Sequence, residues 1–379
     1  MSKHKLETML IHAGEARIDG SVTMPIFQSS TFETRDRAGY HDIRYGRLSN
    51  TPTHDALHQK LAAAEGAEAA LATASGMAAI STALLSQLRA GDHLIAQDSL
   101  YGGTHDLITH DLPALGIEVT QVSGDDSGSW EKARRPRTKV FYCEAISNPL
   151  VRVADLEGIV AFARKHSLVS VIDNTFATPL ALRPIERGFD LAVHSATKYL
   201  NGHSDLIAGA AMGSRALIEK VRHKLDHLGG SLDAHACFLL QRGLKTLAVR
   251  FRQQSQTASE LARFLERHSA VSRVYHPSLD SHPDYARARK LLALPGAMLS
   301  FELRDAARVP RLFERMTLPI KAPSLGGCET LITQPAQTSH AGLSPAERQR
   351  IGITDGVLRL SVGLEAAEDL IADFTQALE

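Results

Sequence analysis

The chain has 379 residues, of which 44% are apolar and 22% charged, and 42 basic residues balance 42 acidic ones. This composition is typical of a globular protein, and the neutral balance excludes a global field that would attract nucleic acid or an anionic membrane. The three cysteines, Cys143, Cys237 and Cys328, form no C-x-x-C pair, so no disulfide framework or cysteine zinc site is indicated. We therefore expect a small-molecule partner and a reducing, cytoplasmic location. Residues 1–8 lack the apolar core of a signal peptide, and no apolar run reaches membrane-spanning length.

The first part of the chain differs in pattern from the rest. Residues 1–53 have little helical periodicity and carry aromatic and turn residues, among them Tyr40 and Tyr45. We predict an extended arm without its own core, which must lie on something else, such as a second subunit. Residues 54–65 follow as a predicted helix, with Thr53 as its N-terminal cap.

Strands and helices then alternate. Apolar runs predict strands at residues 68–74, 92–97, 116–123, 138–144, 168–173, 190–194 and 206–212, and helical periodicity predicts helices at 75–88 and 156–166. Strands that alternate with helices form a mainly parallel sheet covered on both faces. The fold class is therefore α/β.

The pattern changes in the last third of the chain. A long helical region, 215–268, is broken near Gly229 and Gly230. Short strands at 297–303, 318–322 and 356–362 then alternate with helices at 306–316, 345–352 and 366–378. We interpret this part as a smaller C-terminal α/β domain. The predicted organisation is an arm (1–53), a large domain (54–245) and a C-terminal domain (246–379).

Polar residues end two of the predicted strands. Asp173 ends the first, and Ser195, Thr197 and Lys198 follow the second. Because open α/β sheets bind ligands at the carboxyl ends of their strands, these side chains should share one crevice. An amine can form a Schiff base with a carbonyl, hydroxyls can donate to a phosphate, and Asp can keep a pyridinium nitrogen protonated. Together they indicate a pyridoxal phosphate (PLP) site with Lys198 as its lysine.

Other interpretations of the same residues remain open. Lys198 could be an ordinary surface lysine and Asp173 a helix cap. The spacing from Ser195 to Lys198 also matches the S-x-x-K of penicillin-recognising serine enzymes, but the companion S-D-N and K-T-G are absent from the sequence. A dinucleotide-binding fold would need G-x-G-x-x-G after a strand, which the sequence lacks.

Two glycine-containing turns are further candidates for ligand binding. Ser75-Gly76-Met77 lies between a predicted strand and a helix, the layout that holds a phosphate on backbone N–H groups. A plain tight turn would have the same sequence. At Tyr101-Gly-Gly103 the aromatic side chain could cover a ring, or it could be a core tyrosine beside a turn.

Two histidine pairs have the i,i+4 spacing of helical metal ligands, His54/His58 and His223/His227. The residue after each first histidine is not the Glu of an H-E-x-x-H motif, and no third ligand is evident. We therefore predict no metal site.

The motifs occur in an order that resembles one enzyme family. Tyr45-Gly-Arg47, Ser75-Gly-Met77, Tyr101-Gly-Gly, Asp173, Ser195-Ala-Thr-Lys198 and Ser324-Leu-Gly-Gly resemble the Cys/Met-metabolism (transsulfuration) family of PLP-dependent enzymes. The resemblance runs from about His12 to Glu365. It implies fold type I, the PLP-dependent transferase fold, with PLP in the large domain. It also implies a homotetramer built from two dimers, with active sites shared across each dimer.

The resemblance assigns roles to three groups of residues. The catalytic group is Lys198, Tyr101 and Tyr45. The cofactor-binding group is Tyr45, Arg47, Ser75, Gly76, Met77, Tyr101, Asn148, Asp173, Ser195, Thr197 and Lys198. The substrate-binding group is Arg359, Ser324, Tyr101 and Asn148. The arm residues Tyr45 and Arg47 are expected to reach the phosphate of the neighbouring subunit.

The implied activity is that of a PLP-dependent carbon–sulfur lyase, with γ-elimination on cystathionine or a related amino acid. Alternatives are γ-replacement on a homoserine derivative, γ-elimination of methionine and, outside this class, a non-catalytic oligomeric binding module. Four residues depart from the family patterns: Thr51 is an insertion, and Gly103, Asp106 and Pro323 replace residues that usually mark substrate classes. The resemblance therefore leaves substrate identity open.

Overall fold

The computed structural model describes residues 4–34, 43–339, 341–342 and 344–379. In chain order, helices α1–α14 are Leu6–His12, Pro52–Glu65, Gly76–Leu85, Gly102–Asp106, Leu112–Ala114, Ser127–Ala133, Leu156–Lys165, Thr178–Ala181, Arg215–Leu228, Ala234–Arg267, Tyr285–Leu291, Val309–Arg315, Pro345–Arg350 and Ala367–Leu378. Strands β1–β12 are Ala69–Thr73, His93–Gln97, Glu118–Val122, Thr138–Glu144, Val169–Asp173, Leu191–His194, Gly209–Gly213, Val271–Tyr275, Met298–Leu303, Ile320–Lys321, Leu331–Thr333 and Val357–Ser361.

A large sheet forms the centre of the chain. Among the described residues it has seven strands in the order β1-β7-β6-β5-β4-β2-β3. Strands β3, β2, β4, β5 and β6 run parallel, whereas β7 runs antiparallel to β1 and β6. The predicted, mainly parallel α/β sheet is confirmed.

Apolar residues on both faces of β4 explain why the sheet is buried on two sides. Val140 and Tyr142 belong to one hydrophobic cluster, while Phe141 and Cys143 belong to the cluster on the other side. This alternation follows from the period of two along a strand. Trp130 of α6 packs edge-on against Phe141, with ring centroids 5.5 Å apart. Helices therefore cover both faces, as expected of a parallel sheet.

A second sheet follows in the C-terminal part. In the described residues it has the order β10-β11-β12-β9-β8, and all its pairs except β10/β11 are antiparallel. Strands β8 and β11 and helix α11 were not predicted. The predicted domain boundary at residue 245 falls inside α10, a helix of 34 residues, and the three-part division stays a prediction.

The arm is not extended throughout, which corrects the expectation for its first residues. Residues 6–12 form helix α1, and Leu10 is 1% exposed within the main core. The buried amine of Lys60 donates to the carbonyl oxygens of Leu10 and Ile11 at 2.7 and 3.0 Å. This part of the arm therefore packs on its own chain. Residues 1–3 and 35–42 of the arm, with Tyr40, lie outside the described residues.

Helix α2 begins two residues earlier than predicted. Its N-cap is Thr51, whose hydroxyl accepts from the backbone N of His54, and Pro52 occupies the first helical position. The predicted cap, Thr53, lies inside the helix, and its hydroxyl accepts from the backbone N of Phe27. Thr51 is therefore the residue that caps the helix. Within the described parts of the chain, no helix has both the length and the apolarity needed to cross a membrane.

Candidate active site

A cavity of about 670 Å³ opens at the carboxyl ends of β4, β5 and β6. The residues that line it are Ser75, Gly76, Met77, Ile80, Tyr101, Glu144, Ile146, Asn148, Asp173, Thr175, Phe176, Ser195, Thr197, Lys198, Ile207, Pro323, Ser324, Leu325, Thr333, Thr338, Ser339 and Arg359. All the site residues named from the sequence are among them except Tyr45 and Arg47. The cavity lies where an open α/β sheet is expected to bind a ligand.

Lys198 lies in the turn after β6 and projects toward the second sheet. Its Nζ donates to the hydroxyl of Ser324 at 2.5 Å. Burial lowers the pKa of the Lys198 amine from 10.5 to about 8, and the positive charge of Arg359 adds to this effect. More of the Lys198 amine is therefore neutral near neutral pH than in an ordinary lysine, which favours a role as nucleophile or base.

Asp173 ends β5 and is held by a residue that sequence reasoning missed. Thr175 donates to the Asp173 Oδ1 from its backbone N at 2.9 Å and from its hydroxyl at 2.5 Å. The same hydroxyl oxygen accepts from the backbone N of Ser195 at 2.8 Å. Burial raises the pKa of Asp173, while the bonds from Thr175 act in the opposite direction. Thr175 therefore connects the ends of β5 and β6, and its signal was an Asp-x-Thr turn.

The N-terminus of α3 forms one wall of the cavity. Ser75 caps the helix by accepting from the backbone N of Ala78 at 3.0 Å. The backbone N–H groups of Gly76 and Met77, in the first turn, have no acceptor within the helix, and such groups at a helix N-terminus bind anions. A Cβ on Gly76 would lie 2.7 Å from the Ser195 Cβ, so only glycine allows this close approach. Thr197 exchanges two hydrogen bonds with the backbone of Ala208 at 2.9 and 3.1 Å.

Arg359, on β12, faces the cavity from the second sheet. Its Nη1 donates to the Asn148 Oδ1 and its Nη2 to the Ser324 carbonyl, each at 2.9 Å. Its Nε is buried and has no hydrogen-bond partner among the described residues. Burial lowers the pKa of Arg359 to about 10, so the guanidinium stays charged at neutral pH. A buried cation with an unused donor is suited to a carboxylate ligand.

Tyr101 and Glu144 form the remaining polar part of the wall. The Tyr101 side chain is 49% exposed, and its backbone N donates to the Glu144 Oε1 at 2.6 Å. Sequence reasoning missed Glu144, although it ends β4 after an apolar run just as Asp173 ends β5. Burial, together with the neighbouring Asp173, raises the pKa of Glu144 well above its ordinary value.

Tyr45 and Arg47 lie outside this cavity in their own chain. Arg47 Nη1 donates to the Asp226 carbonyl on α9 at 2.7 Å, and its guanidinium carbon lies 5.6 Å from the Tyr45 ring centroid. Tyr45 is 39% exposed. The structure therefore does not bring these two residues to the phosphate-binding wall of the same chain.

The histidine pairs also lie outside the cavity. His54 Nε2 is 2.7 Å from the Leu232 carbonyl, and the ring nitrogens of buried His58 have no partner among the described residues. The rings of His223 and His227 are 4.6 Å apart. Residues 4–34, 43–339, 341–342 and 344–379 contain no group of three or more His, Cys, Asp or Glu that could hold a metal ion.

Comparison with known proteins identifies the class. Residues 7–379 match the family model described as Cys/Met metabolism PLP-dependent enzyme. A cystathionine β-lyase of Bacillus subtilis is 43% identical, covering 100% of this chain and 98% of the relative. An L-methionine γ-lyase of Porphyromonas gingivalis is 42% identical, covering 98% and 96%. The crystal structure of a cystathionine γ-lyase from Lactobacillus plantarum complexed with L-serine has a TM-score of 0.94 at 38% identity, covering 99% and 98%.

The sheet, the cavity at its carboxyl edge and the lysine inside it define a PLP-dependent enzyme of fold type I. The chain belongs to the Cys/Met-metabolism family of PLP-dependent enzymes, and it is a carbon–sulfur lyase of sulfur amino-acid metabolism that acts on an amino acid. These findings support an enzyme over a non-catalytic binding module.

The residues present fit this cofactor. The unpaired N–H groups at the start of α3 and the glycine required there suit a phosphate. Burial raises the pKa of Asp173, and a cationic partner such as a protonated ring nitrogen would stabilise its charged form. When bound, PLP supplies an electron sink for a carbanion on the substrate.

Proposed function

We propose that this enzyme cleaves the carbon–sulfur bond of cystathionine or a related amino acid by elimination at the γ-carbon. The observation that carries the proposal is the half-buried Lys198 amine, which lies in the same cavity as Arg359, donates to the Ser324 hydroxyl and has a pKa lowered to about 8. γ-Elimination requires proton removal at Cα and then at Cβ. With a pKa of about 8, a larger fraction of this amine is neutral near neutral pH than of an ordinary lysine, and in that form it can accept each proton in turn.

Arg359 is the proposed ligand of the substrate α-carboxylate. Asn148 and the Ser324 carbonyl hold its two Nη atoms, so the plane of the guanidinium is fixed before a substrate arrives. A planar fork binds a carboxylate through two hydrogen bonds, which lysine cannot do. The carboxylate would also balance the buried positive charges of Arg359 and Lys198. Ser324, which contacts both cations, is therefore the proposed substrate-side partner.

The opposite wall is the proposed cofactor site. The backbone of Gly76 and Met77 and the hydroxyls of Ser195 and Thr197 would hold the phosphate, with Ser75 capping the same helix. Asp173 would pair with the ring nitrogen and keep it protonated, which strengthens the electron sink.

Tyr101 is the proposed cover of the ring. Its side chain lies at the cavity mouth and is half exposed, so its hydroxyl could also give a proton to the departing sulfur. Asn148, beside Arg359, would lie between the substrate and the ring hydroxyl.

Assembly is the second part of the proposal. Tyr45 and Arg47 would complete the phosphate site of a neighbouring subunit, in a homotetramer built from two such dimers, because they do not reach the cavity of their own chain. The cytoplasmic location stays a prediction that the three free cysteines support.

Elimination at the β-carbon of cystathionine is the second candidate, favoured by the Bacillus subtilis relative named cystathionine β-lyase. Of the three substrate-marking residues, Pro323 lines the cavity, whereas Asp106 lies on the exposed side of α4 and does not. Gly103 lies behind the Tyr101 ring. No charged side chain of these positions therefore reaches the cavity to favour one bond over the other.

The products of purified enzyme with cystathionine decide between the two reactions. γ-Elimination yields 2-oxobutanoate, cysteine and ammonia, while β-elimination yields pyruvate, homocysteine and ammonia. Methionine and acylated homoserines, each with and without an added thiol, test methionine γ-elimination and γ-replacement. We expect 2-oxobutanoate from cystathionine. Pyruvate with homocysteine as the main products would overturn γ-elimination, and thiol-dependent product alone would identify a replacement enzyme.

A further inference from the structure

Glu144 is a buried cavity carboxylate to which the proposed mechanism gives no role. It is 5% exposed at the end of β4, directly opposite Asp173 in the parallel register of β4 and β5. Its Oε1 accepts from the backbone N of Tyr101 at 2.6 Å. The carboxylate therefore contacts the residue that is proposed to cover the ring.

The position of Glu144 is rigid. Its backbone N donates to the Gln97 Oε1 at 3.0 Å, and Gln97 ends β2, the neighbouring strand of the sheet. Glu144 is thus anchored to two neighbouring strands of the sheet, β4 and β2. A hydrogen bond to such a fixed acceptor can hold a loop residue in one place.

Tyr101, by contrast, begins the short helix α4 without a side-chain cap. Its ring lies against Gly103, because a Cβ added there would come within 2.8 Å of the Tyr101 Cε1 and 3.1 Å of the Met77 Sδ. Gly103 leaves room for the ring but does not hold the backbone. The bond from the Tyr101 N–H to Glu144 supplies that restraint.

We propose that Glu144 is a positioning residue for Tyr101: its Oε1 fixes the start of α4 and thereby keeps the Tyr101 ring over the cavity. This inference rests on the proposed role of Tyr101. The restraint needs an acceptor oxygen at the right distance and does not need a negative charge. The raised pKa of Glu144 agrees, since a protonated carboxyl keeps a carbonyl oxygen that accepts.

Two substitutions separate the hydrogen bond from the charge. Glu144→Gln keeps an acceptor oxygen at the same length without the carboxylate, whereas Glu144→Asp keeps the carboxylate but shortens the side chain by one methylene. We expect Glu144→Asp to lose about tenfold in kcat and Glu144→Gln less than about threefold, because the aspartate cannot reach the Tyr101 N–H. The visible circular dichroism of the bound cofactor in the resting holoenzyme should weaken more in Glu144→Asp than in Glu144→Gln.

The matched control is Glu118→Asp, the same chemical change on the edge strand β3 outside the cavity. It should leave both measurements at wild-type values. In a Tyr101→Ala background, the difference in kcat between the two Glu144 variants should disappear, because the backbone N–H remains but the ring that it positions is gone.

Several results would overturn the proposal. A larger loss of kcat for Glu144→Gln than for Glu144→Asp would mean that the negative charge matters. Equal losses of kcat, or no loss in either variant, would show that the hydrogen bond to Tyr101 does not matter. A difference that persists in Tyr101→Ala would separate Glu144 from Tyr101. If the wild-type enzyme released no oxo acid, the proposed function would fail, but the visible circular dichroism of the variants would still decide the role of Glu144.

Discussion

Four buried or half-buried ionisable side chains line one cavity: the basic groups of Lys198 and Arg359 and the carboxyl groups of Asp173 and Glu144. Burial lowers the pKa of each cation, to about 8 for Lys198 and about 10 for Arg359. It raises the pKa of both carboxyl groups. Such opposed pKa shifts cluster at functional sites, where ionisable groups are removed from water and can interact with a charged ligand.

Lys198→Ala should abolish turnover and the reducible covalent link to the cofactor while leaving the fold intact. The reason is that Lys198 is the only lysine lining the cavity in the described residues. Borohydride reduction followed by mass spectrometry measures the link. The control is Lys220→Ala on α9, an exposed position away from the cavity. A cofactor adduct that survives in the Lys198→Ala variant would show that another residue is the attachment site.

At the scale of elements, the start of α2 depends on the N-cap residue Thr51. The hydroxyl of Thr51 accepts from the His54 backbone N at 3.4 Å and lies 2.7 Å from the His54 Nδ1. The helix leads to Glu65, which contacts His194 on β6 at 2.5 Å. The capped helix α2 therefore contacts β6, the strand that precedes Lys198.

Thr51→Ala should lower the free energy of unfolding by about 1 kcal/mol, the usual cost of losing an N-terminal cap. Thr51→Ser keeps the hydroxyl and is the matched control, with nearly wild-type stability. Chemical denaturation of both variants measures the difference. Equal stability of the alanine and serine variants would mean that Thr51 does not cap the helix.

A buried histidine, His276, directly follows strand β8 of the second sheet. His276 Nε2 donates to the Gly296 carbonyl at 3.2 Å, and its Nδ1 accepts from the Ser278 backbone N at 3.3 Å. Burial lowers the pKa of His276 from 6.5 to about 4. Because the unfolded chain takes up this proton first, stability is lost as pH falls from about 6.5 toward 4.

At pH 5 the expected loss from this one group is about 2 kcal/mol relative to pH 7. His276→Gln removes the titrating ring, so the fall in stability between pH 7 and pH 5 should shrink by about that amount, even if the variant is less stable at both. Calorimetry at the two pH values measures it. An unchanged fall would assign the acid sensitivity to other groups, such as His282, whose pKa burial also lowers to about 4.

At the scale of the whole molecule, the arm decides whether one chain can make an active site. Tyr45 and Arg47 are chemically suited to a phosphate but lie against α9, outside the cavity of their own chain. If each arm serves a neighbouring subunit, Arg47→Ala and Lys198→Ala subunits should complement each other. In the mixed dimer both defects then fall in one site and leave the other site whole.

After subunit exchange, random pairing places one intact site in half of the dimers, so about a quarter of the wild-type activity should return. The two parent variants measured alone are the controls and should stay nearly inactive. Native mass spectrometry confirms that mixed dimers have formed. Mixed dimers without activity would place the arm on the cofactor of its own subunit.

Much of the site could be predicted because strand ends are visible in a sequence. The apolar runs before Asp173 and Ser195 marked the edge of the sheet where the cavity lies. Glu144 ended an equally clear strand but was missed, since no spacing linked it to Lys198. Strand β8 was missed because its burial alternates irregularly, with two adjacent exposed residues.

The sequence by itself determined the fold class, the parallel sheet and the family, because local periodicity and ordered motifs are properties of neighbouring residues. Only the tertiary structure decided that Thr51 rather than Thr53 caps α2, that α1 packs on its own chain, and that Glu144 holds Tyr101. Each of these rests on a contact between residues that are distant in the chain or on a competing bond, as between Thr53 and Phe27. Such contacts depend on how the elements pack, and no local pattern encodes them.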